Sequence, residues 1–178
     1  GHMENKQLIP APEMAAKIRA ASAARESPDF ILIARTDARA VEGLPAALDR
    51  AARYLDAGAD ILFIEAPESR EDIEAIATRF AGTPLLFNWA EGGKTPAIPY
   101  SELQQLGFRL VIFPISLLLS ATRAMQAAAQ RIRADGTPIA LLPGLPTFQE
   151  FTDFVGLPEV REIERQFGVD DDIGVGAK

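Results

Sequence analysis

Apolar residues along this chain gather into short unbroken runs instead of alternating with polar ones. Four stand out: "FILIA" at 30–34, "ILFIE" at 61–65, "PLLFN" at 84–88 and "LVIFP" at 110–114. Continuous runs of this length predict strands covered on both faces, as in a parallel sheet. Between them the pattern turns helical. "LPAALDRAARYLDAG" sets Leu44, Leu48, Ala52 and Leu55 on one side and Asp49, Arg50, Arg53 and Asp56 elsewhere, with Gly58 as the stop. "SREDIEAIATRFAG" repeats the plan, with Ser69 as N-cap, Asp72 three residues later and Gly82 as the stop. "YSELQQLG" predicts a third helix, capped by Ser101 and stopped by Gly107, and "PEMAAKIRAAS" a helix ahead of the first strand. Strand–helix alternation of this kind marks parallel βα units.

Beyond the last strand, "SLLLSATRAMQAAAQRIRADG" predicts a long helix ending at Gly136. A Pro/Gly-rich connection, "TPIALLPGLPT", leads to short helices around "FQEFTDFVG" and "PEVREIERQFG", and then to a weakly patterned "VDDDIGVGAK". Phe148, Phe151, Phe154, Ile163 and Phe167 give these tail helices an apolar face that must pack on the body or on a partner chain. The pattern divides the chain into 1–136, four strand–helix units, and 137–178, a helical extension. Four units raise a question of completeness, because a closed (β/α)8 barrel needs eight strands and about 250 residues.

Composition narrows the function classes. At 178 residues, 48% of them hydrophobic, the chain can bury a core of its own. Its net charge of −7 argues against a nucleic-acid partner, which wants a basic stripe. The absence of cysteine rules out disulfides, thiolate metal sites and a thiol nucleophile within this chain. No apolar run is long enough to span a bilayer, and no membrane partner and a soluble, cytoplasmic location are expected.

In parallel α/β folds ligands collect at the carboxyl ends of strands, so the polar residues there are informative. The first run leads into Arg35-Thr36-Asp37, the second ends in Glu65, the third in Asn88, and the fourth in Pro114 followed by Ser116. Arg35 offers a fork for a carboxylate or phosphate, Asn88 can bond a second carboxylate oxygen, and Glu65 can orient a hydroxyl or move a proton. Structural roles remain open for each: Arg35 paired with Asp37, Glu65 paired with an Arg on a neighbouring strand, Asn88 satisfying its own turn. "EGGKTP" has the glycines of a phosphate loop without the full pattern, and reads as a mobile loop with a solvated Lys94.

At "IARTDAR", "FIEAP", "FNWAEGGKTP" and "GFRLVIFPISLLLSATRAM" the chain resembles the isocitrate lyase / phosphoenolpyruvate mutase superfamily, in the branch of the methylisocitrate and dimethylmalate lyases, oxaloacetate hydrolase and carboxyphosphonoenolpyruvate phosphonomutase. "LPTFQEFTDFVGLPEVREIE" is similar to the same branch. The resemblance implies the C-terminal half of a (β/α)8 barrel, with its last helix exchanged between subunits that pair into tetramers. It implies an enzyme that uses Mg2+ to cleave a carbon–carbon bond in a 2-hydroxy di- or tricarboxylate through an enolate, giving a 2-oxo acid and a second carboxylate. Phosphonomutase or oxaloacetate hydrolase/decarboxylase activity is the alternative within the family, and a non-catalytic half-barrel fragment the alternative outside it.

Residue by residue, the resemblance implies that Arg35 binds a substrate carboxylate, Glu65 belongs to the acid and orienting network, Asn88 binds the second product's carboxylate, and Pro114 lines the wall beside the substrate's side group. The family's metal ligands, 2-oxo-acid loop and loop cysteine are expected in a preceding half, so no metal ligand is assigned here. The opening Gly1-His2-Met3 reads either as a cloning remnant or as the end of the family's Cys-Gly-His loop. Lys6, the helix that follows it and the distance to Arg35 favour the loop, which makes Gly1 a substrate-binding candidate and His2 a substrate-binding and catalytic one.

Overall fold

The computed structural model describes residues 5–168. The elements run α1 (Ala11–Ala24), β1 (Ile33–Thr36), α2 (Ala38–Glu42), α3 (Leu44–Asp56), β2 (Ile61–Ile64), α4 (Arg70–Arg79), β3 (Leu85–Asn88), α5 (Tyr100–Gln105), β4 (Phe108–Ile112) and α6 (Ser116–Asp135). A 3-10 segment (Ile139–Gly144), α7 (Phe148–Phe154) and α8 (Leu157–Gln166) follow. The protein is thus α/β, with one four-stranded sheet in the order β1-β2-β3-β4, every neighbouring pair parallel. Spatial order equals chain order. Right-handed crossovers then place the connecting helices on one face, without the reversal that gives doubly wound sheets their switch point.

Register sorts the strand residues onto two faces. Ala34, Leu62 and Leu85 align across three strands, and Thr36 pairs with Ile64 one step further along that face. Ala34, Leu62, Ile64, Leu85, Phe87 and Phe108 join one apolar cluster with Ile18, Tyr54, Ile73, Ile76 and Leu103 from the helices. Leu62, Ile73 and Leu103 are completely buried there. The opposite face carries Ile33, Arg35, Phe63, Glu65, Leu86 and Asn88, because side chains alternate along a strand. A shift in the β3–β4 ladder sets Leu85 against Phe108 but Leu86 against Leu110, so Arg109 is the extra residue of a bulge.

Several local expectations need correction. β1 and β4 sit two to three residues away from their apolar runs, which begin at Phe30 and end at Pro114. These are the sheet's edge strands, so their outer apolar residues stay uncovered: Phe30 is 61% exposed and Phe113 52%. The buried stripe of α3 is Ala47, Ala51 and Tyr54, while Leu44, Leu48, Ala52 and Leu55 pack along its margins. Arg50 shares the buried stripe because Glu42 takes its guanidinium through Nε (2.9 Å) and Nη2 (3.1 Å), and the Ile9 carbonyl accepts from Nη1 at 2.9 Å. Ser69 does cap α4, its hydroxyl accepting from the Asp72 amide at 3.1 Å. Ser101 caps nothing. α5 starts two residues earlier than a Ser101 cap would set it, behind Pro99, whose backbone (φ −63°, ψ 145°) sets the entry.

The chain divides into two compact units, up to Ser120 and from Ala121 onward. In the second, Thr147 and Glu150 form a reciprocal capping box at the start of α7, and Gly156 (φ +87°) turns the chain into α8. Phe148, Phe154 and Phe167 lie 79–85% exposed. No described helix is long and apolar enough to cross a membrane.

Candidate active site

Three adjacent strands end at the same edge of the sheet, and their last outward residues share the face away from the helices. Arg35 stands opposite Phe63 in the ladder, with its guanidinium carbon 4.9 Å from the ring centroid, a cation–π contact. Glu65 directly follows β2 and its amide donates to the Thr36 carbonyl at 3.0 Å. Asn88 closes β3. Glu65 is buried to 6% exposure, yet it is loosely held. Asn88 Nδ2 lies 3.4 Å from each of its oxygens and Arg35 Nη2 lies 3.7 Å from Oε2, at or beyond the outer limit of useful hydrogen-bond geometry. Asn88 Oδ1 is buried without a partner, and an orphaned acceptor of this kind calls for a donor.

Arg35 makes its short bonds to Asp37, through Nε at 2.8 Å and Nη2 at 3.0 Å. Asp37 also accepts from Lys6 Nζ at 2.5 Å. The Arg35 hydrogen bond, with Lys6 behind it, holds the Asp37 carboxyl down at about 2, against the opposing effect of burial. The same bond, helped by the charges of Glu65 and Asp37, raises the Arg35 guanidinium above its ordinary value. The expected ion pairs of Arg35 with Asp37 and of Glu65 with a neighbouring Arg are therefore both present. Asp37 occupies Nε and Nη2, so Nη1 carries none of these bonds.

Glu65, Ala66, Glu68, Asn88, Lys6 and Lys94 line a cleft of about 670 Å³ at this edge. Ala66 has φ +55°, a left-handed conformation that costs an L-residue about 1–2 kcal/mol. It turns the chain away immediately after Glu65. Arg35 belongs to the wall of a neighbouring hollow of about 380 Å³, which shares Lys6 with the cleft. Glu65 and Asn88 are thus brought together with Arg35 beside them. Pro114 lies exposed beyond β4 and lines neither space, and Gly1 and His2 lie outside the described residues. Glu68 and Lys94 are cleft residues that the strand-end pattern could not flag, because both sit on loops. The glycines of "EGGKTP" are the one signal for Lys94, and Glu68 has none.

Among the described residues no group of three or more His, Asp or Glu could hold a metal ion. The arrangement suits a carboxylate-bearing ligand: a partly free guanidinium, an orphaned amide oxygen that needs a hydroxyl or other donor, and a buried carboxylate able to orient it.

The family described as phosphoenolpyruvate phosphomutase matches residues 1–133. A 2,3-dimethylmalate lyase of Eubacterium barkeri is 40% identical over 167 residues, which cover 94% of this chain and 57% of that protein. A 2-methylisocitrate lyase of Aeropyrum pernix is 41% identical over 156 residues, covering 88% and 50%. The chain therefore spans about half the length of the curated relatives it matches. A crystal structure of 2,3-dimethylmalate lyase superposes with a TM-score of 0.87 at 36% identity, over 99% of this chain and 59% of that one. Oxaloacetate acetylhydrolase bound to 3,3-difluorooxalacetate gives 0.85 at 32% identity, over 94% and 56%. Phosphonopyruvate hydrolase in complex with oxalate and Mg2+ gives 0.79 at 25% identity, over 93% and 59%.

Proposed function

This chain belongs to the phosphoenolpyruvate phosphomutase family, and from that premise we propose that it forms the carboxylate-binding half of a carbon–carbon lyase. The substrate is a 2-hydroxy di- or tricarboxylate, a substituted malate or a methylisocitrate-like acid, cleaved to a 2-oxo acid and a second carboxylate by way of an enolate. The observation that carries this reading is the convergence of Arg35, Glu65 and Asn88 at adjacent strand ends, with Glu65 loosely held and Asn88 Oδ1 unpartnered. Relatives named as lyases of dimethylmalate and methylisocitrate support it.

Arg35 takes one substrate carboxylate through the guanidinium face that Asp37 leaves open, with Asp37 and Lys6 fixing the fork. Asn88 donates from Nδ2 to the carboxylate of the second product, and its Oδ1 accepts from a substrate donor such as the hydroxyl. Glu65 orients the substrate hydroxyl and serves the proton transfer there, its burial keeping water from the bond that breaks. The described residues offer no ligand set for Mg2+. Within this reading the cation is held by groups outside them, and none of the steps above runs through it. Gly1 and His2 are proposed on family grounds as substrate-binding residues, His2 also as a catalytic one, while Pro114, which lines neither space, is given no part. The same grounds support the second half of a (β/α)8 barrel, exchange of the tail helix between subunits, and a tetramer. The one-directional strand order and the exposed tail face fit that assembly.

Hydrolysis or decarboxylation of oxaloacetate and phosphonomutase chemistry form the second reading, supported by the acetylhydrolase match and the family's own description. A Mg2+-supplemented assay of pyruvate, glyoxylate and oxalate release across substituted malates, methylisocitrate and oxaloacetate separates the lyase from the oxaloacetate activities. Release from the 2-hydroxy acids is expected, and turnover of oxaloacetate alone would replace the lyase with the hydrolase.

A further inference from the structure

Two cations line the cleft, and only one of them is committed. Lys6 is 20% exposed and tied to Asp37 at 2.5 Å. Lys94 is 79% exposed, and its contact is Glu68 Oε1 at 3.3 Å. Glu68 does not depend on it. Arg39 Nη2 lies 3.3 Å from Glu68 Oε2, while Arg39 Nε donates to Asp72 at 2.6 Å. Helix α2 after β1 and the loops after β2 and β3 are thus strung together by charge, and Lys94 can leave the end of the string without stranding a carboxylate. An exposed pair of this geometry holds its partners weakly.

The loop's backbone fits such a departure. Trp89 Nε1 donates to the Ile98 carbonyl at 3.0 Å, which pins the loop at its base. Gly92 (φ +74°) and Gly93 precede Lys94 at its tip, where the absence of Cβ leaves the chain free to reorient. Glu65 and Asn88 lie at the strand ends, and Lys94 comes from the loop wall of the same cleft.

We propose that Lys94 is a third carboxylate-binding residue, which exchanges Glu68 for the extra carboxylate of a tricarboxylate substrate. The proposal rests on reading the strand ends as a carboxylate site, where Arg35 and Asn88 serve two carboxylates; of the cleft's two lysines Lys6 is held by Asp37, which leaves Lys94 for a third. A lysine binds as a point charge without the planar match an arginine demands. Lys94 therefore selects for the number of carboxylates and tolerates variation in the side group that carries them. Glu68 is its resident competitor.

The test is calorimetric binding of tricarballylate and of glutarate, the same carbon chain without the third carboxylate. Lys94→Met should weaken tricarballylate about fivefold, the scale of one partly exposed charge pair, and leave glutarate within about twofold. Lys94→Arg should restore most of the loss. Glu68→Gln should tighten tricarballylate binding in the parent and have no such effect beside Lys94→Met, a coupling that a merely structural lysine would not produce. Equal affinity of parent and Lys94→Met, an equal loss for both acids, or no binding of either acid to the parent would each overturn the proposal. If those differences hold while no 2-hydroxy acid is cleaved, the lyase reading fails and the third-carboxylate role of Lys94 stands.

Discussion

Arg35 and Asp37 show how much a two-residue spacing can and cannot say. The spacing allowed either an internal ion pair or a ligand-binding fork, and the fork in fact spends Nε and Nη2 on Asp37 while Nη1 stays outside that pair. Arg35→Lys removes the planar fork, so kcat/KM on the true substrate should fall by about 2–4 kcal/mol of transition-state stabilisation. Unchanged kinetics would take Arg35 out of the site. Asp37 carries a pH prediction. Its folded pKa of about 2 lies below the ordinary carboxylate value of about 4. Its stabilisation is therefore fully present above about pH 4 and is lost as pH falls toward 2. Denaturation midpoints of the parent and of Asp37→Asn should differ by a constant amount above about pH 4 and converge below it. A gap that persists down to pH 2 would contradict the assignment. Glu65 and Asn88 were legible as strand-end polar residues. Their loose mutual contact was not, since it depends on the relative heights of β2 and β3.

At the scale of elements, cap chemistry and hydrophobic pattern each held in part: Ser69 caps its helix and Ser101 does not. Ser69 caps α4 as its position predicts, and Ser69→Ala should cost about 1 kcal/mol in chemical denaturation. Asp72 would keep its place through the Glu68 amide and Arg39, so the loss should stay local. Gly58 is more demanding. Its φ is +103°, and a Cβ there would meet Ser22 Oγ at 2.6 Å and Ser22 Cβ at 2.9 Å. Gly58→Ala combines a left-handed penalty with a clash between α1 and the turn into β2, so it should cost more than about 1 kcal/mol and lower Tm by several degrees. An unchanged Tm would mean that α1 shifts freely. β2 and β3 fell where their runs placed them, because central strands are covered on both sides. β1 and β4 slid because an apolar run at a sheet edge has no second neighbour to set its register. The short α2 and the buried role of Arg50 left no periodic signal, since each exists through a partner distant in sequence.

For the whole molecule, the exposed faces set the expectations. The tail unit leaves Phe148, Phe154 and Phe167 in solvent, a larger apolar display than an isolated chain ordinarily keeps. Light scattering should find concentration-dependent self-association, and Phe148→Glu with Phe154→Glu should shift it to the smaller species without loss of helical circular dichroism. A parent that stays monomeric at high concentration would remove the proposed subunit exchange. On the sheet's far face, Ile33 and Leu110 remain 44% and 37% exposed on the two edge strands.

Local pattern by itself determined the parallel α/β class, the four strands, most helix ends and the three strand-end residues. These follow from periodicity and from glycine and cap chemistry, which act between near neighbours. Only the tertiary structure decided that Arg35, Glu65 and Asn88 share a face, that Glu65 is buried with slack partners, and that Lys94 lines the cleft of Glu65 and Asn88 while paired with Glu68. Those facts depend on strand register and loop approach across dozens of residues, where hydrophobic pattern is silent and packing sets the distances.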